Sequence, residues 1–164
     1  MIHQPGFPKG RSMPLGIPEA MREEHEELHR ELLKATNLSG HVGEAAKRVA
    51  QILHPHFEKE NELALPVIGV ARELAEGKTP TDYEKALDLH DRFKNEYPKM
   101  LQEHEEILKA LDGLEKNASD RARYRPDKEY DVLEFTRKLR LHAKTEEDLT
   151  YPTVLMVGKL LKQT

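Results

Sequence analysis

HFEKENELALP at residues 56–66 recurs as HAKTEEDLTYP at residues 142–152, with each shared position displaced by 86 residues. Both stretches follow the pattern His-x3-Glu-x2-Leu-x2-Pro. On an α-helix, residues four apart lie on one face, one turn from each other. Each stretch therefore directs an imidazole and a carboxylate towards the same neighbour.

A second repeated motif lies upstream of each of these stretches. EHEEL at residues 24–28 is matched by EHEEI at residues 103–107, displaced by 79 residues. The order is thus a histidine followed by His-x3-Glu, and this order occurs twice. We interpret it as four helices that deliver four histidines and two glutamates to one metal centre. The candidate ligands are His25, His56, Glu60, His104, His142 and Glu146.

Apolar residues recur at spacings of three and four along four segments, which predicts four amphipathic helices. With short links and the internal duplication, they indicate an all-α, up-down-up-down four-helix bundle built from a duplicated αα hairpin. We expect this bundle to span residues 18–164, after an irregular tail at residues 1–17 that is rich in proline and glycine. Pro66 should end or kink the second helix, residues 117–127 should form a loop, and Pro152 should close the fourth helix.

The two repeated glutamates carry the argument for a metal. Glu60 and Glu146 lie near the middle of their apolar stripes, where an unpaired carboxylate would cost several kcal/mol to bury. No lysine or arginine occupies those stripes near the same level, so bound cations are the expected counter-charge. Four imidazoles and two carboxylates without sulfur suit iron or manganese, with zinc as an alternative. A single histidine on an apolar stripe is more often a core residue, but that reading leaves the carboxylates unexplained.

Five of the nine histidines lie outside this set. His90 is on a core stripe but about 21 Å from His104 along the helix axis, so we expect it to be structural. His54 points away from His56 and should be solvated. His29 is either a boundary residue, a fifth nitrogen ligand or an outer partner of a ligand. Neither His3 nor His41 is a candidate metal ligand.

Composition restricts the functional classes further. A net charge of −4 gives no reason to expect nucleic acid or an anionic membrane as a partner. Whether the chain has a protein partner stays open. The lack of cysteine excludes disulfides, iron–sulfur clusters and thiolate zinc sites. No window approaches the run of about twenty apolar residues that a membrane span needs, and no secretory signal peptide is evident. We therefore expect a cytoplasmic protein.

Through these motifs the chain resembles the hemerythrin family, specifically the bacterial HHE cation-binding domains, over roughly residues 18–160. The resemblance implies a non-haem di-iron site in which Glu60 and Glu146 bridge the two irons. It also implies that His25 and His142 bind one iron and that His56 and His104 bind the other.

The chain departs from the oxygen carriers of that family in two places. Those carriers have two histidines four apart on the third helix, whereas here Met100 and Leu108 flank His104 at that spacing. The fourth helix carries Glu146 four residues after His142, rather than an aspartate five residues after it. Both departures match the HHE proteins better than the carriers, and they argue against simple reversible oxygen transport.

A count of ligands leads to the expected function. Two histidines and one oxygen from each bridging carboxylate give four protein ligands per iron. A six-coordinate iron then has two further positions, one for an oxo or hydroxo bridge and one for a small diatomic ligand or peroxide. We expect a protein that binds O2 or a related small oxidant, for sensing, scavenging or storage. The alternatives are a di-iron enzyme with peroxidase-like or nitric-oxide-related activity and a metal-free helical interaction bundle.

Overall fold

The structure, a computed structural model, describes residues 16–123 and 126–164, and no β-strand occurs in that part of the chain. Residues 1–15 of the predicted tail lie outside the described residues, so the division into tail and bundle stays a prediction. The helices are α1 (Glu19–Thr36), α2 (Gly40–Lys59), α3 (Leu65–Gly69), α4 (Ala71–Ala75), α5 (Tyr83–Ala122), α6 (Pro126–Thr145) and α7 (Tyr151–Leu161). Two π-helical segments, π1 (Glu60–Ala64) and π2 (Glu146–Thr150), join α2 to α3 and α6 to α7.

These elements form four rods. The first is α1, the second is α2 with π1 and α3, the third is α5, and the fourth is α6 with π2 and α7. α1 and α5 each pack against both α2 and α6, so the rods close into a ring around a common core. The predicted all-α four-helix bundle is confirmed.

The core consists of two apolar clusters separated along the bundle. One cluster lies between α1, α2, the second half of α5 and α6, and includes Leu32, Val49 and Phe135. The other lies between π1, α3, the first half of α5 and α7, and includes Phe93 and Val154. On each rod the candidate ligands lie at the boundary between the two clusters, which places a polar layer between two largely apolar parts of the interior.

The fourth rod continues through its proline, so the prediction that Pro152 closes the helix is wrong. The second rod likewise continues through Pro66. A proline lacks the N–H that would bond the carbonyl four residues earlier. Instead, each of these two rods has a π turn just before its proline. The N–H groups of Leu65 and Tyr151 donate to the carbonyls of Glu60 and Glu146, five residues back. The helical path is thereby preserved, and each π segment begins at a candidate glutamate ligand.

The loop predicted at residues 117–127 is also wrong at both ends, because α5 runs to Ala122 and α6 begins at Pro126. Ala118 is fully buried in the first apolar cluster. Asn117 donates to the carbonyl of Gly113 one turn back, and Arg121 donates to the Ser39 carbonyl of the neighbouring hairpin turn. The polar residues here are the exposed face of a long helix, and packing overrides their preference for loops.

Candidate metal centre

The six candidate ligands converge in the polar layer between the two apolar clusters, and all of them are buried. They form two overlapping groups, one with His25 and His142 and one with His56 and His104. Both groups share Glu60 and Glu146, and within each group the potential ligand atoms lie within 4.8 Å of one another. The histidines are divided between the groups in the way that the resemblance implies.

Each imidazole presents its Nε2 atom to the shared carboxylates. In one group, His25 Nε2 lies 3.3 Å from Glu146 Oε1 and 3.4 Å from Glu60 Oε2, and His142 Nε2 lies 2.6 Å from Glu146 Oε1. In the other, His56 Nε2 lies 3.3 Å from Glu60 Oε1, and His104 Nε2 lies 3.1 Å from Glu146 Oε2. Four nitrogens and two carboxylates therefore face one small volume.

The opposite ring nitrogen, Nδ1, faces an oxygen in every case. His25 Nδ1 lies 3.2 Å from Oδ1 of Asn61, the residue after Glu60. His104 Nδ1 lies 3.0 Å from Oε1 of Glu147, the residue after Glu146. A proton held on Nδ1 leaves the Nε2 lone pair directed inwards, which is the tautomer that a metal ligand needs.

The same arrangement holds for the other two histidines. His56 Nδ1 lies 2.9 Å from Glu103 Oε2, and His142 Nδ1 lies 3.1 Å from Glu24 Oε1. Glu103 and Glu24 each directly precede a candidate histidine on the adjacent rod. The outer partners thus follow the same two-fold pattern as the ligands, and Lys59 forms an ion pair with the far side of Glu103.

Several of these buried atoms are close to a partner without forming a hydrogen bond to it. Among the described residues, Glu60 Oε2 and both ring nitrogens of His142 make no hydrogen bond, although partner atoms lie 3.4, 3.1 and 2.6 Å away. Buried polar atoms are almost always satisfied. Glu60 Oε2 and His142 Nε2 both face the volume between the two groups, and buried atoms without a hydrogen bond there leave lone pairs for a metal ion, so this donor set fits bound metal.

The electrostatics show what balances the carboxylates when no cation is bound. Burial opposes charge on the imidazoles, but the carboxylates of Glu60, Glu103 and Glu146 raise the pKa of His56 to about 9. Burial likewise opposes charge on the His142 ring, but Glu146 and Glu24 raise its pKa to about 10. Burial alone would raise the pKa of Glu146, but His104, His142 and His25 hold it well below 4.5. Protons on imidazoles and bound cations are therefore alternative counter-charges for this site.

Tyr151 is a site residue that the sequence analysis missed. Its hydroxyl donates to Glu60 Oε1 and lies 3.2 Å from His56 Nε2 and 3.1 Å from His104 Nε2. Burial and the charges of Glu60 and Glu146 raise the pKa of this phenol, so it holds its proton. The repeat itself singles out Tyr151, because it has a polar hydroxyl where the equivalent residue of the first copy is the apolar Leu65. Since the π turn places residues five apart on one face, Tyr151 follows Glu146 into the site.

The remaining described histidines lie outside both groups. His90 is buried beside Gly158 in the second apolar part of the bundle, and its Nδ1 contacts Asp91 Oδ1 at 2.9 Å. His54 is exposed and His29 is half-buried, and their rings lie 4.2 Å apart between centroids. His41 is exposed near the start of α2, whereas His3 lies outside the described residues.

Comparisons with known proteins identify a family. The model of the hemerythrin HHE cation binding domain matches residues 16–154, a segment that contains all six candidate ligands and Tyr151. No curated protein and no solved structure matches the chain. Among the described residues, no helix is both long and apolar enough to cross a membrane.

Proposed function

Since the chain belongs to the hemerythrin HHE cation-binding domain family, we propose that it is a non-haem di-iron protein that binds O2 or a related small oxidant. His25 and His142 would bind one iron, and His56 and His104 the other. Glu60 and Glu146 would bridge the pair. The observation that carries this proposal is the pair of overlapping four-residue groups that share two buried carboxylates.

The donor set favours iron over other metals. Imidazole and carboxylate ligands without thiolate suit iron, manganese and zinc. Two histidines and one oxygen from each shared carboxylate would give four protein donors per ion. Such a pair of irons supplies, when bound, redox electrons and open coordination positions for a small molecule. A zinc pair would offer the positions without the electrons.

The surrounding residues pack against the rings of the candidate ligands. Phe57 stacks on the His25 ring, with centroids 4.1 Å apart and ring planes within 5°. Tyr151 stacks more loosely on the His104 ring, with centroids 5.4 Å apart and ring planes 21° apart. The two apolar clusters seal the layer from both ends of the bundle. A buried site bounded by apolar clusters at both ends suits a small neutral ligand better than a bulky substrate.

A second candidate function is a di-iron enzyme with peroxidase-like or nitric-oxide-related activity, and Tyr151 favours it. Its hydroxyl holds a proton within hydrogen-bond distance of Glu60 and two candidate imidazoles. A reaction that reduces peroxide or nitric oxide builds negative charge on an oxygen atom, and a buried phenol that keeps its proton could stabilise that charge by donating a hydrogen bond. Simple reversible binding of O2 has no such requirement.

Metal analysis with a visible absorption spectrum of aerobically purified protein tests the proposal. About two irons per chain are expected for wild type. The variants His56→Ala and Glu146→Ala should each lose metal, whereas His54→Ala and His90→Ala should retain it. A metal-free, colourless and stably folded wild type would contradict the proposal and favour the helical interaction bundle.

The two candidate functions separate in the same preparation. A spectral change that reverses when oxygen is removed and readmitted supports binding. Sustained turnover of peroxide or nitric oxide, lowered in Tyr151→Phe at unchanged iron content, supports the enzyme.

A further inference from the structure

The two groups of candidate ligands differ in what supports them from outside. In the group of His56 and His104, both Nδ1 atoms make hydrogen bonds to carboxylates, to Glu103 Oε2 at 2.9 Å and to Glu147 Oε1 at 3.0 Å. Lys59 forms an ion pair with the other oxygen of Glu103 and so fixes that carboxylate against the ring. A carboxylate that accepts the Nδ1 proton makes the Nε2 atom of the same ring a stronger donor to a metal ion.

The group of His25 and His142 has weaker support. His25 Nδ1 meets the neutral amide oxygen of Asn61 at 3.2 Å, whereas the equivalent residue in the second copy of the repeat is the charged Glu147. His142 Nδ1 lies 3.1 Å from Oε1 of Glu24, but these atoms are not aligned for a hydrogen bond and Glu24 is 55% exposed. The two rings are also more exposed, at 5% and 6%, than the rings of the other group, at 1%. Hydrogen bonds to a charged acceptor are about twice as strong as those to a neutral one, so these two rings are held less firmly.

Tyr151 adds a further difference between the groups. Its hydroxyl donates to Glu60, which leaves its oxygen lone pairs beside the Nε2 atoms of His56 and His104, 3.2 and 3.1 Å away. The equivalent residue in the first copy of the repeat is Leu65, whose side chain has no oxygen. A cation at His56 and His104 would therefore have one more oxygen dipole near it than a cation in the other group.

Two divalent ions that share the same carboxylates repel each other, so the second ion binds more weakly than the first whichever position is filled first. The surroundings of each group then decide the order. We propose that the position at His56 and His104 is filled first and holds its ion more tightly, and that the position at His25 and His142 is filled second and exchanges its ion more readily. This inference rests on the metal centre proposed above and adds the order in which it is filled. When metal is scarce, the chain holds a single ion.

Addition of Zn²⁺ to metal-free protein, followed by heteronuclear NMR of the histidine rings, tests the order. Zinc binds imidazole nitrogen and has no redox chemistry, so this measurement is independent of any reaction at an iron centre. With one ion per chain, the Nε2 signals of His56 and His104 should shift on coordination, while those of His25 and His142 stay close to their metal-free positions. The second ion should then shift the remaining two signals.

Two isosteric substitutions test whether the outer partners set this order, with the two stepwise Zn²⁺ affinities measured by equilibrium dialysis. Glu147→Gln should weaken binding of the first ion by about tenfold or more, the loss typical when an outer partner of a ligating histidine is removed. Asn61→Asp gives His25 a charged partner and should strengthen binding of the second ion by a similar factor. Asp148→Asn is the matched control, because it removes the same charge from the next residue, whose carboxylate pairs with Lys144 at the surface. It should leave both affinities unchanged.

Shifts of all four rings together at one ion per chain, or of His25 and His142 first, would overturn the order. Affinities that change in neither Glu147→Gln nor Asn61→Asp would overturn the role of the outer partners. A failure of the di-iron proposal looks different, since two Zn²⁺ would still bind in this order while aerobically purified protein contained no iron. A chain that takes up no Zn²⁺ would overturn the order and the metal centre together.

Discussion

In the metal-free protein, raising the pH from about 7 to about 9 should lower the free energy of unfolding. The reason lies in the two imidazoles whose protons balance the buried carboxylates. In the folded protein the pKa of His56 is raised from 6.5 to about 9, and that of His142 from 6.5 to about 10. A group with a raised pKa stabilises the fold fully below its unfolded pKa, and this contribution disappears as the pH rises through the folded pKa.

The size of the effect follows from His56 alone, whose side chain is only 1% exposed. One pKa unit corresponds to about 1.4 kcal/mol. The proton-linkage relation then gives a loss of about 2 kcal/mol between about pH 7 and about pH 9. His142 adds a loss of the same sign, and because both rings share Glu146 the two contributions are not independent.

Bound metal should remove this dependence. An imidazole that ligates a metal through Nε2 cannot take up a second proton, so the folded protein no longer gains protons relative to the unfolded chain. The metal-loaded protein should therefore keep a constant contribution from these groups between about pH 7 and about pH 9. Below about pH 6.5 it should lose stability, because the unfolded histidines become protonated.

Urea denaturation followed by far-ultraviolet circular dichroism measures both states. The difference between the curves for chelator-treated and metal-loaded protein isolates the site, because all other titrating groups contribute to both. A metal-free protein whose free energy of unfolding is constant or rises over this pH range would refute the reasoning.

Three further predictions concern single side chains. Glu146→Gln removes the shared counter-charge, so the pKa of His142 in the metal-free protein should fall towards 6.5, as measured by NMR titration of the ring. Tyr151→Phe removes the donor to Glu60 and should lower the free energy of unfolding by about 1–3 kcal/mol in urea denaturation. Gly158→Ala would place a methyl group 1.9 Å from His90 Cδ2, so it should destabilise the fold by about 1–3 kcal/mol while leaving the metal content unchanged.

The errors of the sequence analysis share a physical origin. Residues 117–122 are mostly polar, but they continue α5 because Ala118 faces the core. Pro152 does not close its helix, because a π turn precedes it in which the Tyr151 N–H donates to the Glu146 carbonyl five residues back. Local propensity decides such segments only where tertiary packing and alternative hydrogen bonds do not compete.

The amino-acid sequence by itself determined that four helices form and which side chains share their inner faces. This follows from the helical period of 3.6 residues, which makes residues three and four apart neighbours whatever the rest of the chain does. It also implied a metal centre through the duplicated His-x3-Glu, and the role of those six residues as ligands stays a prediction.

Only the tertiary structure decided which groups meet across helices. The contacts of the four Nδ1 atoms with Glu24, Asn61, Glu103 and Glu147 join residues that are far apart in sequence. Tyr151 enters the site because a π turn rotates it there. Such contacts depend on how rods rotate and slide against each other, and the periodicity of a single helix contains no information about that.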